Sequence, residues 1–147
     1  MKFSKFDERM FHAAHIEAEK SDYKRFHVGC VITYKHSIIG RGKNSNKSHP
    51  VQKEYNRQYR DFNNTDGNYV HDAIHAEICA IQSIPYTTCI EVDWSKVHVY
   101  VFRICKGKKL GYGTARPCPA CLNAIREMGI KKIYYTDDEG YSYLELN

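Results

Sequence analysis

The sequence contains no long hydrophobic segment. A membrane-spanning helix needs about 20 consecutive apolar residues, and no apolar run in this chain approaches that length. The N-terminal stretch MKFSKFDERMFHAAHIEAEK interleaves charged with apolar residues, so it also lacks the hydrophobic block of a secretory signal peptide. These two absences predict a cytoplasmic protein that has no membrane partner.

Internal repeats, low-complexity tracts and linker-like stretches are missing as well. A chain of 147 residues is long enough to bury a hydrophobic core without covalent cross-links. We therefore expect a single domain over residues 1–147. Residues 44–72 carry polar turns and are too long for a simple connection, which predicts an ordered insertion at about this position.

The six cysteines are not spaced as a disulfide framework. In a reducing cytosol, cysteines are more often thiols or metal ligands than disulfides, and only Cys118 and Cys121 have the close spacing of ligands. The spacing alone leaves three interpretations open. The pair is a thioredoxin-like redox pair, half of a structural zinc site, or two ligands of a catalytic metal.

Acidic residues are scarce between residues 96 and 132. This segment has nine lysines and arginines but a single carboxylate, Glu127. Such a local excess of positive charge favours an anionic partner. Basic loops that are simply solvated give the same pattern, so the charge alone does not identify a binding surface.

The periodicity of the apolar residues predicts an α/β fold. Ser4 and Asp7 have the spacing of a capping box, and apolar residues recur every four positions after them, which predicts a helix over residues 5–20. Strands are predicted at 25–34, 37–43, 96–104 and 132–136, and helices at about 73–84 and 119–128. Helices that alternate with strands imply an α/β sandwich. The short turn DDEG between the last two strand-like runs requires a C-terminal antiparallel hairpin.

Two short motifs combine metal ligands with a group that can move protons. His75 and Glu77 flank one small residue at the predicted start of a helix. Within a regular helix they point about 200° apart, so they converge only if the motif lies in the first turn. Cys118 and Cys121 are three residues apart at another helix start, so both sulfurs can reach one cation. One histidine and two cysteines leave a tetrahedral zinc ion with an open position, which suits catalysis better than a sealed structural site.

These motifs resemble the signature of the zinc-dependent cytidine and deoxycytidylate deaminases. HAE at residues 75–77 and PCPAC at residues 117–121 match its H-x-E and P-C-x-x-C parts. YKRFHVGCVI at residues 23–32 and IIGRGKN at residues 38–44 are similar to the first strand and the G-x-N turn of these enzymes. The resemblance implies a three-layer α-β-α sandwich with a mixed central sheet and a C-terminal β-hairpin.

The resemblance also implies the metal and the residues around it. One Zn²⁺ per chain would be held by His75, Cys118 and Cys121, with Glu77 as the catalytic proton carrier. By position, Asn44 corresponds to a sugar contact of the family. The base would be surrounded by Val28, Cys30 and Ala76. Three basic residues bracket Asn44 and are candidate phosphate contacts, although solvated lysines give the same pattern: Arg41, Lys43 and Lys47.

The function that the resemblance implies is hydrolytic deamination of cytosine to uracil in free cytidine-type nucleosides or nucleotides. Ala120, between Pro119 and Cys121, resembles the residue that the cytidine-type enzymes have at this position. The predicted hairpin resembles the C-terminal end of the same enzymes. The free-substrate relatives are usually oligomers, so a homo-oligomer is expected.

Two alternatives stay open at this point. The first is a cytosine deaminase that acts on single-stranded DNA or RNA, and the second is a zinc-binding module without activity. An aromatic stripe in the insertion, Tyr55, Tyr59 and Phe62, is interleaved with Arg57 and Arg60 and has the composition of a surface that stacks bases. A packing stripe or an oligomer contact has the same spacing.

Overall fold

A five-stranded mixed sheet forms the centre of the fold. The computed structural model describes residues 3–60, 73–104 and 114–146. In chain order its elements are α1 (Lys5–Glu19), β1 (His27–Tyr34), β2 (Ser37–Lys43), α2 (Pro50–Tyr59), α3 (Ala76–Ser83), α4 (Tyr86–Glu91), a 3-10 turn (Trp94–Lys96), β3 (Val97–Ile104), α5 (Pro119–Glu127), β4 (Lys132–Asp137) and β5 (Gly140–Glu145). Within those ranges, every helix is too short or too polar to cross a bilayer.

The strand order explains how the two motif-bearing helices come to lie on one sheet. The order is β2-β1-β3-β4-β5, in which β3 and β4 are parallel and all other neighbours are antiparallel. The parallel pair is joined by a crossover that contains α5. Because β4 and β5 pair through a short turn, with Asp137 opposite Gly140, the predicted C-terminal hairpin is confirmed.

Helix α1 covers one face of the sheet. It begins with the expected capping box, in which Ser4 Oγ accepts from the Asp7 amide at 3.0 Å and Asp7 Oδ2 accepts from the Ser4 amide at 3.0 Å. The Tyr100 hydroxyl, from β3, donates to the other oxygen of Asp7 at 2.6 Å. Val31, Tyr100 and Tyr134 pack against Phe11 and Ala14 to form a core on this side.

Helices α3 and α5 cover the opposite face. Alternate residues of the same strands point there, because successive side chains of a strand face opposite sides of a sheet. The core on this side contains Cys30, Ile32, Val99, Val101 and Ile133 from the sheet, and Ala76, Ala80 and Ile125 from the two helices. The predicted three-layer α-β-α sandwich with a mixed sheet is therefore confirmed.

Glycine in β2 lets α3 approach the sheet closely. A Cβ atom at Gly42 would overlap the backbone nitrogen of Ala80 and would lie 2.7 Å from the carbonyl oxygen of Ala76. Real Cβ atoms do not come this close to backbone, so only glycine permits the contact. The contact positions the first turn of α3, which carries the HAE motif.

The main differences from the expected elements lie between β2 and β3. Helix α3 begins at Ala76, three residues later than predicted, because residues 73 and 74 are extended. The amide of Ile74 donates to the carbonyl of Lys47 at 2.8 Å, and Ala73 forms an isolated bridge with Ser48. The predicted insertion contains helix α2, which was not predicted from the sequence. Helix α4 and the 3-10 turn were not predicted either. Residues 61–72 of the insertion lie outside the described residues.

Replacing Gly42 with alanine is expected to destabilise the protein. The added methyl group must displace α3, and overpacking of this kind costs about 1–3 kcal/mol in free energy of unfolding. Urea unfolding of Gly42→Ala measures the loss. Ser37→Ala, at the exposed start of the same strand, is the control and is expected to unfold at the wild-type urea concentration. Equal stability of the two variants would contradict the close approach of α3 to β2.

Candidate metal centre and active site

The first turn of α3 presents His75 and Glu77 from a braced segment. His75 is the N-cap of the helix, and its side chain makes no capping hydrogen bond, so the ring is available for other contacts. Its amide donates to Gln52 Oε1 at 2.9 Å. Gln52 is fully buried and donates in turn to Asn56 Oδ1 at 3.0 Å, so helix α2 holds the start of α3 in place.

The first turn of α5 presents the two cysteines. Cys118 is the N-cap, Pro119 occupies the first helical position, and the Cys118 side chain makes no capping hydrogen bond. Proline fits this position because the amide that it lacks would have no partner within the helix. The Cys121 side chain follows within the same turn and is fully buried.

The two helix starts bring one nitrogen and two sulfurs together. His75 Nδ1 lies 3.5 Å from Cys118 Sγ and 3.3 Å from Cys121 Sγ. Zinc–sulfur bonds of about 2.3 Å and zinc–nitrogen bonds of about 2.0–2.1 Å at a tetrahedral angle separate such atoms by about 3.5 Å. The three atoms therefore fit a zinc ion, and they are a cluster able to hold a metal among the described residues.

The protonation of the cysteines also suits a metal site. A hydrogen bond with Cys121, supported by interactions with His75, lowers the pKa of Cys118 to about 3, whereas burial raises the pKa of Cys121. The pKa of His75 is raised, because interactions with Cys118 outweigh the effect of burial. A metal ion requires both cysteines as thiolates, and the lowered pKa of Cys118 favours that form.

Glu77 lies at the same cavity but is not part of the metal-binding cluster. It occupies the first turn of α3, the position from which its side chain can converge with that of His75, and is 5 % exposed. Burial raises the pKa of Glu77 to about 7, and this outweighs the opposing effect of His75. A carboxyl group with a pKa near neutrality can both accept and return a proton at cellular pH.

A cavity of about 290 Å³ joins these groups to the substrate-contact candidates. His75, Glu77 and Cys118 line its wall together with three residues expected from the family resemblance, Val28, Asn44 and Ala76. Cys30 does not line it, since this residue lies in the hydrophobic core with Ala76 and Ala80 and is fully buried. The volume is at the lower end of the roughly 300–1,000 Å³ that is typical of small-molecule sites.

Asn44 is held mainly by the protein itself. Its Oδ1 accepts from Ser21 Oγ at 2.6 Å and from the Val28 amide at 2.9 Å, while Nδ2 donates to the Phe26 carbonyl at 3.1 Å. These bonds connect the end of β2 to the start of β1. Among the described residues they use one of the two hydrogens on Nδ2, which leaves the other as a donor.

The three basic residues around Asn44 do not line the cavity. Arg41 pairs with Val31 and Lys43 pairs with Gly29 in the ladder between β1 and β2. Directly paired residues project to the same face of a sheet, and Val31 and Gly29 both face α1. The cavity lies on the other face, and Lys47 is exposed outside it. These positions do not fit the expected phosphate contacts.

Three arginines line the cavity, although the sequence motifs placed none of them at the metal site. Arg60 follows the last residue of α2, Arg103 lies near the end of β3, and Arg116 precedes the PCPAC motif. The excess of basic residues between 96 and 132 contains two of them and was the available signal. Lys106, Lys108 and Lys109 of that excess lie outside the described residues.

The aromatic stripe of the insertion is used for packing. The rings of Tyr55 and Tyr59 stack at 6.0 Å, and their hydroxyls donate to the two carboxylate oxygens of Glu127 on α5 at 2.8 and 2.7 Å. Arg57 donates to Glu54 on its own helix. The contacts of Tyr55 and Tyr59 are consistent with the packing interpretation, and Phe62 lies outside the described residues.

Comparisons with known proteins found a matching family model and a structure with the same fold. The family model for the cytidine and deoxycytidylate deaminase zinc-binding region matches residues 4–137. A cytidine deaminase from Burkholderia pseudomallei has a TM-score of 0.59 and 16% identity, over 97% of this chain and 93% of that chain, so it shares the fold. A dCMP deaminase from the cyanophage S-TIM5, in complex with dCMP and dUMP, has a TM-score of 0.49 and 16% identity, over 90% and 82%. A search of the curated proteins found no match.

Loss of either cysteine is expected to remove the metal. The purified protein should contain about one zinc ion per chain, and Cys118→Ser and Cys121→Ser should lose it, because serine does not supply a thiolate. Elemental analysis after dialysis measures the zinc, and circular dichroism checks that the variants are folded. Cys89→Ser, on α4 and outside the cavity, is the control and should keep its zinc. Full zinc occupancy in both ligand variants would contradict the site.

Proposed function

The chain belongs to the cytidine and deoxycytidylate deaminase family, and on this basis we propose that it deaminates cytosine in a free cytidine-type nucleoside or nucleotide. The observation that carries the proposal is the arrangement of His75 Nδ1 and the two cysteine sulfurs beside Glu77 at one cavity. A redox pair of cysteines would need neither the histidine nor the buried carboxyl group. A sealed structural zinc site would have a fourth protein ligand, and the cluster among the described residues has three.

The residues around the cavity account for each proton in the reaction. Zinc held by this cluster supplies Lewis acidity, which lowers the pKa of water from about 15.7 towards about 7. Glu77 accepts the proton of the attacking water and delivers it to the ring nitrogen beside the reacting carbon. A second transfer through Glu77 protonates the amino group, which leaves as ammonia. One water is consumed, and cytosine becomes uracil.

The remaining cavity residues position the base. Val28 and Ala76 provide apolar parts of the cavity wall, which suit contact with a pyrimidine ring. The free hydrogen of Asn44 Nδ2 is a donor for a sugar hydroxyl. Since three of the protein's own bonds fix the amide, this donor is already oriented before substrate binds.

A free substrate is supported by two features of the chain. The chain ends in the antiparallel β4–β5 hairpin, which resembles the C-terminal hairpin of the cytidine deaminase branch of the family. Tyr55 and Tyr59, which were candidates for stacking the bases of a strand, are engaged with Glu127. The alternative, a deaminase of single-stranded DNA or RNA, is favoured by the basic residues between 96 and 132.

A homo-oligomer also stays a proposal. Tyr86 and Ile90 lie one turn apart on α4 and are 79% and 68% exposed. Because both side chains are large, apolar and exposed, they form a surface that a second subunit could bury.

Replacing Glu77 is expected to abolish turnover without removing the metal. Glu77→Ala and Glu77→Gln should retain zinc but lose at least about 10²-fold in kcat, the usual scale for a general acid–base group. Ammonia release measures turnover, and elemental analysis measures zinc. Glu17→Gln is the matched control, because Glu17 is also a buried carboxyl group but does not line the cavity. Near-normal kcat in both Glu77 variants would reject the mechanism.

The response to salt separates a free substrate from a polynucleotide. Between about 50 and 200 mM salt, an enzyme with six or more phosphate contacts to a strand loses at least about 10³-fold in affinity. We expect KM for free cytidine compounds to change much less, since they carry at most one phosphate group. A panel of cytidine, deoxycytidine, dCMP and a cytosine-containing oligonucleotide provides the measurement. Efficient oligonucleotide deamination that collapses with salt, with no consumption of free compounds, would establish the alternative.

A further inference from the structure

We propose that Arg103, together with Arg60 and Arg116, binds a phosphate group of the substrate, so that the enzyme prefers cytidine-type nucleoside monophosphates to nucleosides. This inference rests on the proposed deaminase function and adds the class of substrate. The sequence motifs assigned none of the three arginines to a substrate phosphate, and Arg60 was named only with the aromatic stripe of the insertion. The basis is their position in the cavity that contains the metal cluster.

The charge on the cavity wall favours an anion. Three arginines line the cavity, and Glu77 is the one carboxyl group among the described residues that line it. The arginines therefore outnumber the carboxyl group on the wall of this cavity. A neutral nucleoside supplies no charge to pair with the arginines, whereas a phosphate group pairs with guanidinium groups by charge-assisted hydrogen bonds.

Arg103 is held in place by contacts that leave its charge intact. Its guanidinium carbon lies 4.3 Å from the centroid of the Phe26 ring, and Nη1 donates to the Thr114 carbonyl at 3.1 Å. Its Nε is buried and has no hydrogen-bond partner in the part of the chain that the structure describes. An aromatic face and a neutral carbonyl orient an arginine but do not neutralise it. A buried donor without a partner is the kind of group that a bound anion or its water satisfies.

The three arginines come from separate elements that meet at the cavity. Arg60 is the C-cap of α2, Arg103 is paired with Val28 across the β1–β3 ladder, and Arg116 precedes the Cys118 turn. Arg116 is exposed and Arg60 and Arg103 are partly exposed, whereas Glu77 is 5 % exposed. The cations therefore lie closer to solvent than the reacting groups do. A nucleotide that inserts its base towards Glu77 keeps its charged phosphate among the arginines near the opening.

The test compares phosphorylated with unphosphorylated substrates in the zinc-loaded, full-length protein. The quantity measured is the ratio of kcat/KM for the 5′- or 3′-monophosphate of cytidine or deoxycytidine to that for the parent nucleoside. We expect a wild-type ratio of at least about tenfold, the scale of one hydrogen bond to a charged group. Arg103→Gln is expected to lower that ratio by about tenfold or more, and Arg103→Lys to lower it less, because lysine keeps the charge but not the planar fork.

Two further variants keep the test decisive. Arg116→Gln removes an exposed arginine of the same cavity, so it reports on the phosphate even if Arg103→Gln does not fold. Arg41→Gln is the matched control, since Arg41 lies on the α1 face of the sheet, and the ratio should not change. Calorimetry gives a readout independent of turnover. Uridine monophosphate, a product analogue, should bind the wild-type protein more tightly than uridine does, and Arg103→Gln should remove most of this difference.

The outcomes distinguish this inference from the function on which it rests. Equal kcat/KM for nucleosides and monophosphates, or an unchanged ratio in the folded Arg103 and Arg116 variants, would overturn the phosphate site and leave the deaminase function standing. Preference for an oligonucleotide over both monophosphates would also overturn it. If no cytosine compound is deaminated, the proposed function itself fails, and the calorimetric comparison still tests the arginines.

Discussion

The convergence of two helix N-termini on one point is the constraint on which the rest of this structure depends. His75 and Cys118 are both N-caps, and neither uses its side chain to cap its helix, so both side chains are left to face each other. The Nδ1–Sγ distances of 3.3 and 3.5 Å are possible only because α3 and α5 lie on the same face of the sheet. The parallel pairing of β3 and β4 places α5 there, and Gly42 lets α3 lie against β2.

Helix α2 supports both halves of the metal centre. Near its start, buried Gln52 accepts from the amide of His75, and on its next turns Tyr55 and Tyr59 hold Glu127 at the end of α5. The segment that interrupts the expected alternation of strands and helices is thus a brace between the two ligand-bearing helices. The residue after its last turn, Arg60, lines the cavity, so the same helix supports the metal centre and adds to the charge of the cavity.

Burial divides the cavity into two chemical environments. At the inner end, burial raises the pKa of Glu77, so this carboxyl group lies where charge is costly. Towards solvent, the guanidinium groups keep their charge, and that of Arg103 is oriented by an aromatic ring and a backbone carbonyl. A neutral reacting ring and a charged remote group are the two parts of a substrate that would match this division. Binding of the charged group would then help to hold the ring beside Glu77.

The sequence by itself determined the features that depend on a few neighbouring residues. The capping box at Ser4, the turn before β5, and the spacing of the HAE and PCPAC motifs are local, because a helix start or a tight turn is specified within about four residues. Tertiary structure alone decided which basic residues reach the cavity. Arg41 is close in sequence to Asn44, but the pairing of β2 with β1 turns it to the α1 face, whereas pairing across β1–β3 sets Arg103 beside Val28. The face on which a strand residue lies depends on register with a distant partner, and no pattern within the segment records that register.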